Sequence, residues 1–212
     1  MGVIKQGILG GFQNAVGAVV GSSWKGISVI KAKPVSVANP RTAAQVAQRD
    51  SMRYIVAITQ PILAAFIKPL WDRFASKMSG YNDFVSTNIA QFVTEWPIMP
   101  QNLIFSKGKM AKTEQDTPVS HNNSGEVTMS WVNDAGDGLK LASDVAFAVA
   151  RNRRTKEISA TFTAATRADE AIVVSFNNNV VTGDHLDCYL AFRRADGTVV
   201  SGSSWFEGIV VA

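Results

Sequence analysis

The spacing of the apolar residues changes from three or four to two near residue 126, and this change constrains the fold more than any other feature. Beyond that point apolar residues alternate with small or polar ones, as at Val127, Met129 and Trp131. Such alternation predicts β-strands with one buried face. The same pattern recurs in later segments, namely residues 145–149, 158–162, 172–176, 186–192 and 205–211.

Turn sequences rich in Asn, Asp and Gly separate these segments, at residues 133–138, 177–179, 182–184 and 196–197. With residues 103–105 counted as a first strand, about seven short strands fall within about 110 residues, which is typical of an immunoglobulin- or fibronectin-like sandwich. Trp131 is then a core anchor. A small β-barrel is the alternative that this pattern leaves open.

Upstream, the three- and four-residue spacing predicts amphipathic helices. Asn39-Pro40 is a helix start signal, Pro61 is expected to kink or end the first helix, and Pro69 to start a second. A third helix follows from Tyr81. Apolar stripes with this spacing are typical of a core or of a helix-mediated subunit contact. The three stripes are Ala47, Ser51, Ile55, Ile58 and Ile62; Leu70, Phe74 and Met78; and Tyr81, Phe84, Val85, Asn88, Ile89, Phe92 and Val93.

Residues 7–34 form a glycine-rich stretch with short β-prone runs between the glycines. Three strands are predicted, at residues 3–8, 15–20 and 24–31. Because glycine loses much conformational entropy on ordering, the stretch should order only against the rest of the chain or a neighbouring subunit. We therefore predict either a plain sheet edge or an arm that adds strands to a neighbour, and the residues assigned to this arm are Gly7, Gly10, Gly11, Gly17, Gly21, Trp24 and Gly26.

The same stretch carries a family resemblance. The motif GILGGF (7–12), then VGxVVGSSWKG (16–26), the basic strand ISVIKAKP and a proline-led helix resemble an uncharacterised family of Bacteroidota and their bacteriophages. The resemblance extends to an SxSxWFxG-like strand at residues 201–208. It implies no catalytic residues, and it implies a context of phage or prophage particles and their bacterial relatives.

Charge is unevenly distributed along the chain. Residues 1–112 hold 13 Lys and Arg against 4 Asp and Glu, and residues 113–212 hold 8 against 13, which together give the net charge of +4. Such a charge dipole favours head-to-tail stacking of copies or contact of the basic part with DNA or an acidic partner. The predicted basic surface comprises Lys25, Lys31, Lys33, Arg41, Arg49 and Arg53.

The sequence offers little material for catalysis. The only histidines are His121, in a polar run, and His185, which should diverge from Cys188 because residues three apart on a strand point to opposite faces. We predict that Cys188 is an inert core residue. The loop at residues 133–138 lacks the spacing of a calcium loop, and the glycine motifs lack a phosphate-loop Lys. We therefore predict no catalytic, cofactor or metal site.

Localisation is predicted from what the chain contains. The apolar run at the N-terminus is broken by glycines and by Gln13 and Asn14 and has no clear cleavage site, so it is not expected to be a signal peptide. No 18 consecutive residues are uninterruptedly apolar, which argues against a membrane span. A single cysteine excludes an internal disulfide. We expect a virion protein assembled in the host cytoplasm, or otherwise a cytoplasmic one.

Taken together, these features predict an α+β protein with a glycine-rich β arm (1–38), a helical region (39–96), a linker with a first strand (97–125) and an immunoglobulin/fibronectin-like β-sandwich (126–212). The predicted function is a non-enzymatic structural subunit of a bacteriophage-like particle, in the tail, neck or capsid exterior. It would form homo-oligomers through the arm and contact other virion proteins. The alternatives are a carbohydrate- or cell-surface-binding module, using Tyr189, Trp205 and residues 177–179, and a non-specific nucleic-acid-associated protein.

Overall fold

The chain divides into two compact units, Met1–Thr42 and Ala43–Ala212. The computed structural model describes residues 3–4, 11–24, 27–36, 39–114, 119–120, 125–136 and 138–210. Helices and antiparallel strands both occur, so the α+β prediction is confirmed at this level.

The first unit is a four-stranded antiparallel sheet with strands in sequential order. A turn at Gly17 divides the second of the three predicted strands, because this glycine has a left-handed φ of 56° that few other residues adopt. The four strands are β1 (Val3–Ile4), β2 (Phe12–Val16), β3 (Val19–Trp24) and β4 (Ile27–Ala32).

The second unit begins with a helix that runs from Ala43 to Trp71. It consists of α1 (Ala43–Ile62), a π-helical turn (Leu63–Ile67) and α2 (Lys68–Trp71). Helical structure therefore continues beyond Pro61. The π-helical turn contains residue 65. In a regular α-helix the carbonyl group of residue 65 would clash with the ring of Pro69, four residues later, and the π-helical turn avoids this clash.

The prediction that a helical stripe continues through Phe74 and Met78 is wrong. The chain leaves the helix after Trp71, and both side chains are exposed. Asp72 instead accepts a hydrogen bond from the backbone N–H of Gly80 (2.9 Å), and Ser79 caps the next helix, α3 (Gly80–Asn88). These two contacts fix a turn where the apolar spacing alone suggested a helix.

In the part of the chain that the structure describes, seven antiparallel strands follow and form two sheets. The three-stranded sheet has the order β5-β6-β9, and the four-stranded sheet has the order β11-β10-β7-β8. Residues 103–105 are not a strand; Leu103 and Phe105 instead bury their side chains among the helices. The strands are β5 (Val119–Ser120), β6 (Glu126–Ser130), β7 (Val145–Asn152), β8 (Ile158–Thr166), β9 (Ala171–Ser175), β10 (His185–Arg193) and β11 (Ser204–Ile209).

The four-stranded sheet is buried on both faces. On one face Ala148 of β7 and Leu190 of β10 pack with Trp131 and the three-stranded sheet. On the other face Phe147 and Tyr189 pack against the helices. The prediction of one buried face is therefore wrong for β7 and β10. In β7, alanines that alternate with large residues hid the second buried face, because a small side chain is compatible with either environment; in β10, polar Asp187 and Tyr189 made that face look exposed.

A buried arginine joins the loops around the core between the two sheets. Arg167 is fully buried in the turn between β8 and β9, and its guanidinium group lies 4.0 Å from the centre of the Phe192 ring. It forms an ion pair with buried Asp144 (3.3 Å) and a second one with Asp134. Its backbone carbonyl accepts a hydrogen bond from Trp131 Nε1 at 2.9 Å. Trp131 is itself buried in the core between the sheets, where it was predicted to lie.

We predict that Arg167→Leu lowers the free energy of unfolding by about 3–5 kcal/mol, because Asp144 would be left buried without its counter-charge. Urea denaturation followed by tryptophan fluorescence measures the change. Adding Asp144→Asn to this variant should recover part of the loss, because a neutral amide costs less to bury. A loss below about 1 kcal/mol would show that Arg167 is not an anchor of this core.

Candidate functional site

Two glycines allow the strands of the N-terminal sheet to approach closely. A Cβ atom at Gly21 would lie 2.1 Å from the backbone carbonyl oxygen of Phe12, and one at Gly11 would lie 2.1 Å from Ser28 Oγ. Gly17 has open space around it but requires its positive φ. Among the residues assigned to the arm, these three therefore have a defined structural role. Gly7, Gly10, Gly26 and the side chain of Trp24 lie outside the described residues.

The last strand of this sheet is exposed along its whole length. All six residues of β4 are exposed, and among the described strands β4 pairs with β3 alone, which makes it an edge strand of this sheet. Ile27 and Ile30 point to opposite faces and are each 61% exposed. An edge strand with apolar residues on both faces is a site for pairing with another chain.

The predicted basic surface is divided between the two units. Lys31, Lys33 and Arg41 belong to the first unit, where residues 1–42 contain five Lys and Arg and no Asp or Glu. Arg49 and Arg53 belong to α1 of the second unit, and Arg53 is paired with Asp50 at 3.1 Å. Lys25 lies outside the described residues.

A second group of cations occupies the turn between β7 and β8. Arg154 forms a two-pronged pair with Asp184, with N–O distances of 2.6 and 2.9 Å, and Lys156 pairs with Glu95 at 2.6 Å. Asp184 also accepts hydrogen bonds from the Asn152 side chain and the backbone of Val181. Arg154 and these donors lower the pKa of Asp184 from 3.8 to about 2.

Arg153 of the same turn closes a network at the end of the four-stranded sheet. It contacts both carboxylate oxygens of fully buried Asp187, at 2.7 and 3.0 Å, and also Glu207 at 2.7 Å. His185 lies 3.0 Å from the same Glu207 carboxylate, and this contact lowers the pKa of Glu207. Asp187 and His185 were predicted to share an outward face of β10, but Asp187 is fully buried beneath Arg153 and Trp205, and only His185 is exposed.

Residues 11–207 match the family described as Family of unknown function (DUF6266). The chain belongs to the DUF6266 family. This match confirms the predicted membership of an uncharacterised family and covers nearly the whole chain. No curated protein matches this DUF6266 chain.

Of two residues suggested for glycan recognition in this DUF6266 protein, one is fully buried and the other is partly buried. Tyr189 is fully buried, and its hydroxyl group donates a hydrogen bond to the Pro100 carbonyl oxygen at 2.8 Å. Trp205 packs against the core on the helix side, and its Nε1 donates to Asp187 at 3.3 Å. Alternation along β10 could not reveal this, because the helices that cover the second face are distant in sequence.

Cys188 is a core residue, as predicted. It is fully buried between the two sheets, and burial raises the pKa of its thiol far above the usual range. Within the described ranges, no group of three or more His, Cys, Asp or Glu side chains is arranged to hold a metal ion. His121 lies outside those ranges.

The long helix also bears on membrane contact. By length and composition, the helix from Ala43 to Trp71 is the one among the described residues that could cross a membrane. Ile55, Phe66 and Leu70 of this helix are buried in the core of the second unit. A core helix passes the same test, so this evidence for a span is weak and agrees with the predicted absence of one.

We predict that Gly21→Ala disrupts the N-terminal sheet, because the new Cβ would overlap the backbone of Phe12. Hydrogen exchange of the β3 and β4 amides should be at least about tenfold faster, equivalent to about 1.4 kcal/mol. Gly17→Asn is the control and should change little, because Asn tolerates the left-handed conformation and nothing crowds that position. Equal protection in both variants would argue against the close approach.

We predict that Arg154→Gln raises the pKa of Asp184 towards 3.8, because it removes the strongest group that stabilises the carboxylate. A group with a lowered folded-state pKa stabilises the fold above its unfolded-state pKa, and this contribution disappears as the pH falls through the folded-state value. The variant should therefore be less stable at pH 5–7, and the difference should shrink from about pH 4 to about pH 2.

Urea unfolding at several pH values and carboxyl carbon NMR test the Arg154→Gln prediction together. Lys112→Gln is the control, because its ion pair with Glu114 is exposed and should contribute within about 0.5 kcal/mol at any pH. A pH-independent difference for Arg154→Gln would mean that Arg154 acts through packing and not through the Asp184 carboxylate.

Proposed function

We propose that the protein is a non-enzymatic structural subunit that self-associates through its N-terminal sheet. The exposure of β4 carries this proposal: a six-residue edge strand presents Ile27 on one face and Ile30 on the other, both largely accessible to water. Sheets normally bury at least one face, so this strand gains most when it pairs with another chain.

The partner that fits best is a second copy of the chain. The first unit carries five cations and no carboxylate, whereas residues 43–212 contain 17 Asp and Glu against 16 Lys and Arg. The basic unit of one copy is thus complementary to acidic positions on the second unit of another, such as exposed Asp169 and Glu170. Main-chain pairing along β4 would add affinity that does not depend on side chains.

The non-enzymatic part of the proposal is supported by the state of the reactive residues. Cys188 is buried with a thiol pKa far above its usual range, and His185 is engaged with Glu207 at the edge of an ion-pair network. The phage-like particle, with a place in its tail, neck or capsid exterior, is proposed from the resemblance of residues 7–34 and 201–208. The DUF6266 match names no function, so the proposed location rests on this resemblance alone.

We also propose that β5–β11 form an immunoglobulin/fibronectin-like sandwich. The division into β5-β6-β9 and β11-β10-β7-β8 supports this, because the chain passes between the sheets after β6, β8 and β9, as Greek-key connections require. The shared core of Trp131, Met129 and Ile172 with Leu190 and Phe192 supports it further. Such a sandwich would provide a rigid body that presents the N-terminal sheet.

We predict that the wild-type protein forms oligomers and that the double variant Ile27→Lys/Ile30→Lys shifts it towards the monomer, by at least about tenfold in dissociation constant. Two buried isoleucines in an interface contribute enough apolar area for such a change, and two added charges on β4 oppose pairing. Sedimentation velocity over a range of concentrations at low salt measures the shift.

Ile98→Lys is the matched control, because Ile98 is 80% exposed but lies outside the sheet. It should leave the dissociation constant unchanged. A wild-type protein that stays monomeric at high concentration and low salt would overturn the proposal. If that monomer bound DNA with affinity that falls steeply with salt and is lost on charge reversal of Lys31 and Lys33, the nucleic-acid alternative would replace it.

A further inference from the structure

A pocket of about 520 Å³ lies in the second unit, between α1 and the beginning of β8. Its wall is partly apolar, with Ile58 from the helix and Ile158 from the strand. Cationic side chains occupy much of the rest of the wall. The polar lining consists of Arg53, Tyr54, Glu95, Arg151 and Lys156.

Arg151, near the end of β7, differs from the two arginines of the turn that follows. It is only 6% exposed, and its guanidinium carbon lies 4.2 Å from the centre of the Trp96 ring. Arg153 and Arg154 each bind a carboxylate through two nitrogens, whereas the Arg151 side chain donates no hydrogen bond to any residue that the structure describes. Its nitrogen atoms are not among the buried polar atoms that lack a partner, so they reach the solvent of the pocket, where an oxyanion could replace water as their acceptor.

The electrostatics at Arg151 point the same way. Burial lowers the pKa of Arg151, although Asp187 and Glu95 act in the opposite direction. An arginine stays charged in proteins even so, and the planar guanidinium fork matches an oxyanion in two-pronged geometry. The pocket therefore contains a fixed positive charge whose donors are oriented but not used within the described chain.

The remaining charges set the limits on a ligand. Lys156 is paired with Glu95 at 2.6 Å, and Arg53 with Asp50 at 3.1 Å. Both pairs are solvent-exposed, so an incoming anion can compete for these cations at little cost. Glu95 would repel a highly charged anion. A ligand with one or two negative charges and an apolar part that reaches Ile58 and Ile158 fits best.

We propose that this pocket binds a small organic oxyanion, a carboxylate or phosphate group on an apolar body, with Arg151 as its two-pronged donor. The apolar body would lie against Ile58, Ile158 and the ring of Tyr54. This site is independent of the proposed self-association, because every lining residue belongs to the second unit.

The test titrates the full-length protein with benzoate and, separately, with inorganic phosphate in a low-salt buffer without chloride. Binding is followed by NMR shifts of the Trp96 indole and by calorimetry. Benzoate presents a carboxylate on an apolar ring and phosphate presents the oxyanion alone, so the two probes separate the contribution of the apolar wall. We expect both to bind, and benzoate more tightly.

Arg151→Gln should weaken binding of either probe by at least about tenfold, because a charged two-pronged hydrogen bond is lost. Arg151→Lys keeps the charge but not the fork, and should fall between wild type and Gln. Glu95→Gln removes the carboxylate that competes for Lys156 and should tighten binding about two- to fivefold. Lys112→Gln, an exposed cation outside the pocket, is the control and should have no effect.

The Glu95→Gln variant keeps the test decisive if Arg151→Gln fails to fold, because Glu95 is exposed. If neither probe binds the wild-type protein, the proposal is overturned. It is equally overturned if Arg151→Gln binds the probes as tightly as the wild type and the Lys112→Gln control do. Weaker binding by Glu95→Gln would also overturn it. Self-association can be present or absent in each case, so failure here leaves the assembly proposal unaffected.

Discussion

Burial of both faces of the four-stranded sheet is the constraint on which the second unit depends. Strands β7 and β10 form the middle of that sheet, and almost every one of their residues is inaccessible to water. One face needs the three-stranded sheet and the other needs the helices, so neither layer is optional. The helix from Ala43 to Trp71 contributes to this cover from Ile55 onward, whereas residues 43–49 are exposed.

Two-sided burial also determines where charges can lie. Asp187 of β10 and Asp144, which precedes β7, are fully buried, and each meets a cation from a neighbouring turn: Asp187 meets Arg153 and Asp144 meets Arg167. These pairs connect loops that are distant in sequence and hold the ends of the strands in place. Arg151 at the end of β7 is the exception, since its guanidinium group stacks on Trp96 without a carboxylate ion-pair partner in the described residues.

Local patterns predicted the strands and turns of the second unit well, because alternation and Asn-Asp-Gly turns are properties of neighbouring residues. They failed where distant contacts decide the outcome. Residues 103–105 resemble a strand but fill the helix-side core, and Phe74 is excluded from a helix by the contact between Asp72 and Gly80. The need for glycine at position 21 comes from a backbone carbonyl nine residues away, and nothing in the spacing of the glycines indicates it. The pocket at Arg151 was also beyond prediction, since α1 and β8 meet only in the folded chain.

The burial of Cys188 has a practical consequence for chemical labelling of the protein. The chain contains this one thiol, and it lies sealed between two sheets, where burial keeps it protonated and out of reach of reagents. A native protein treated with maleimide would thus remain unmodified. A cysteine introduced on an exposed strand such as β4 would then be the single position to accept a fluorophore or a spin label, without any need to remove the natural residue.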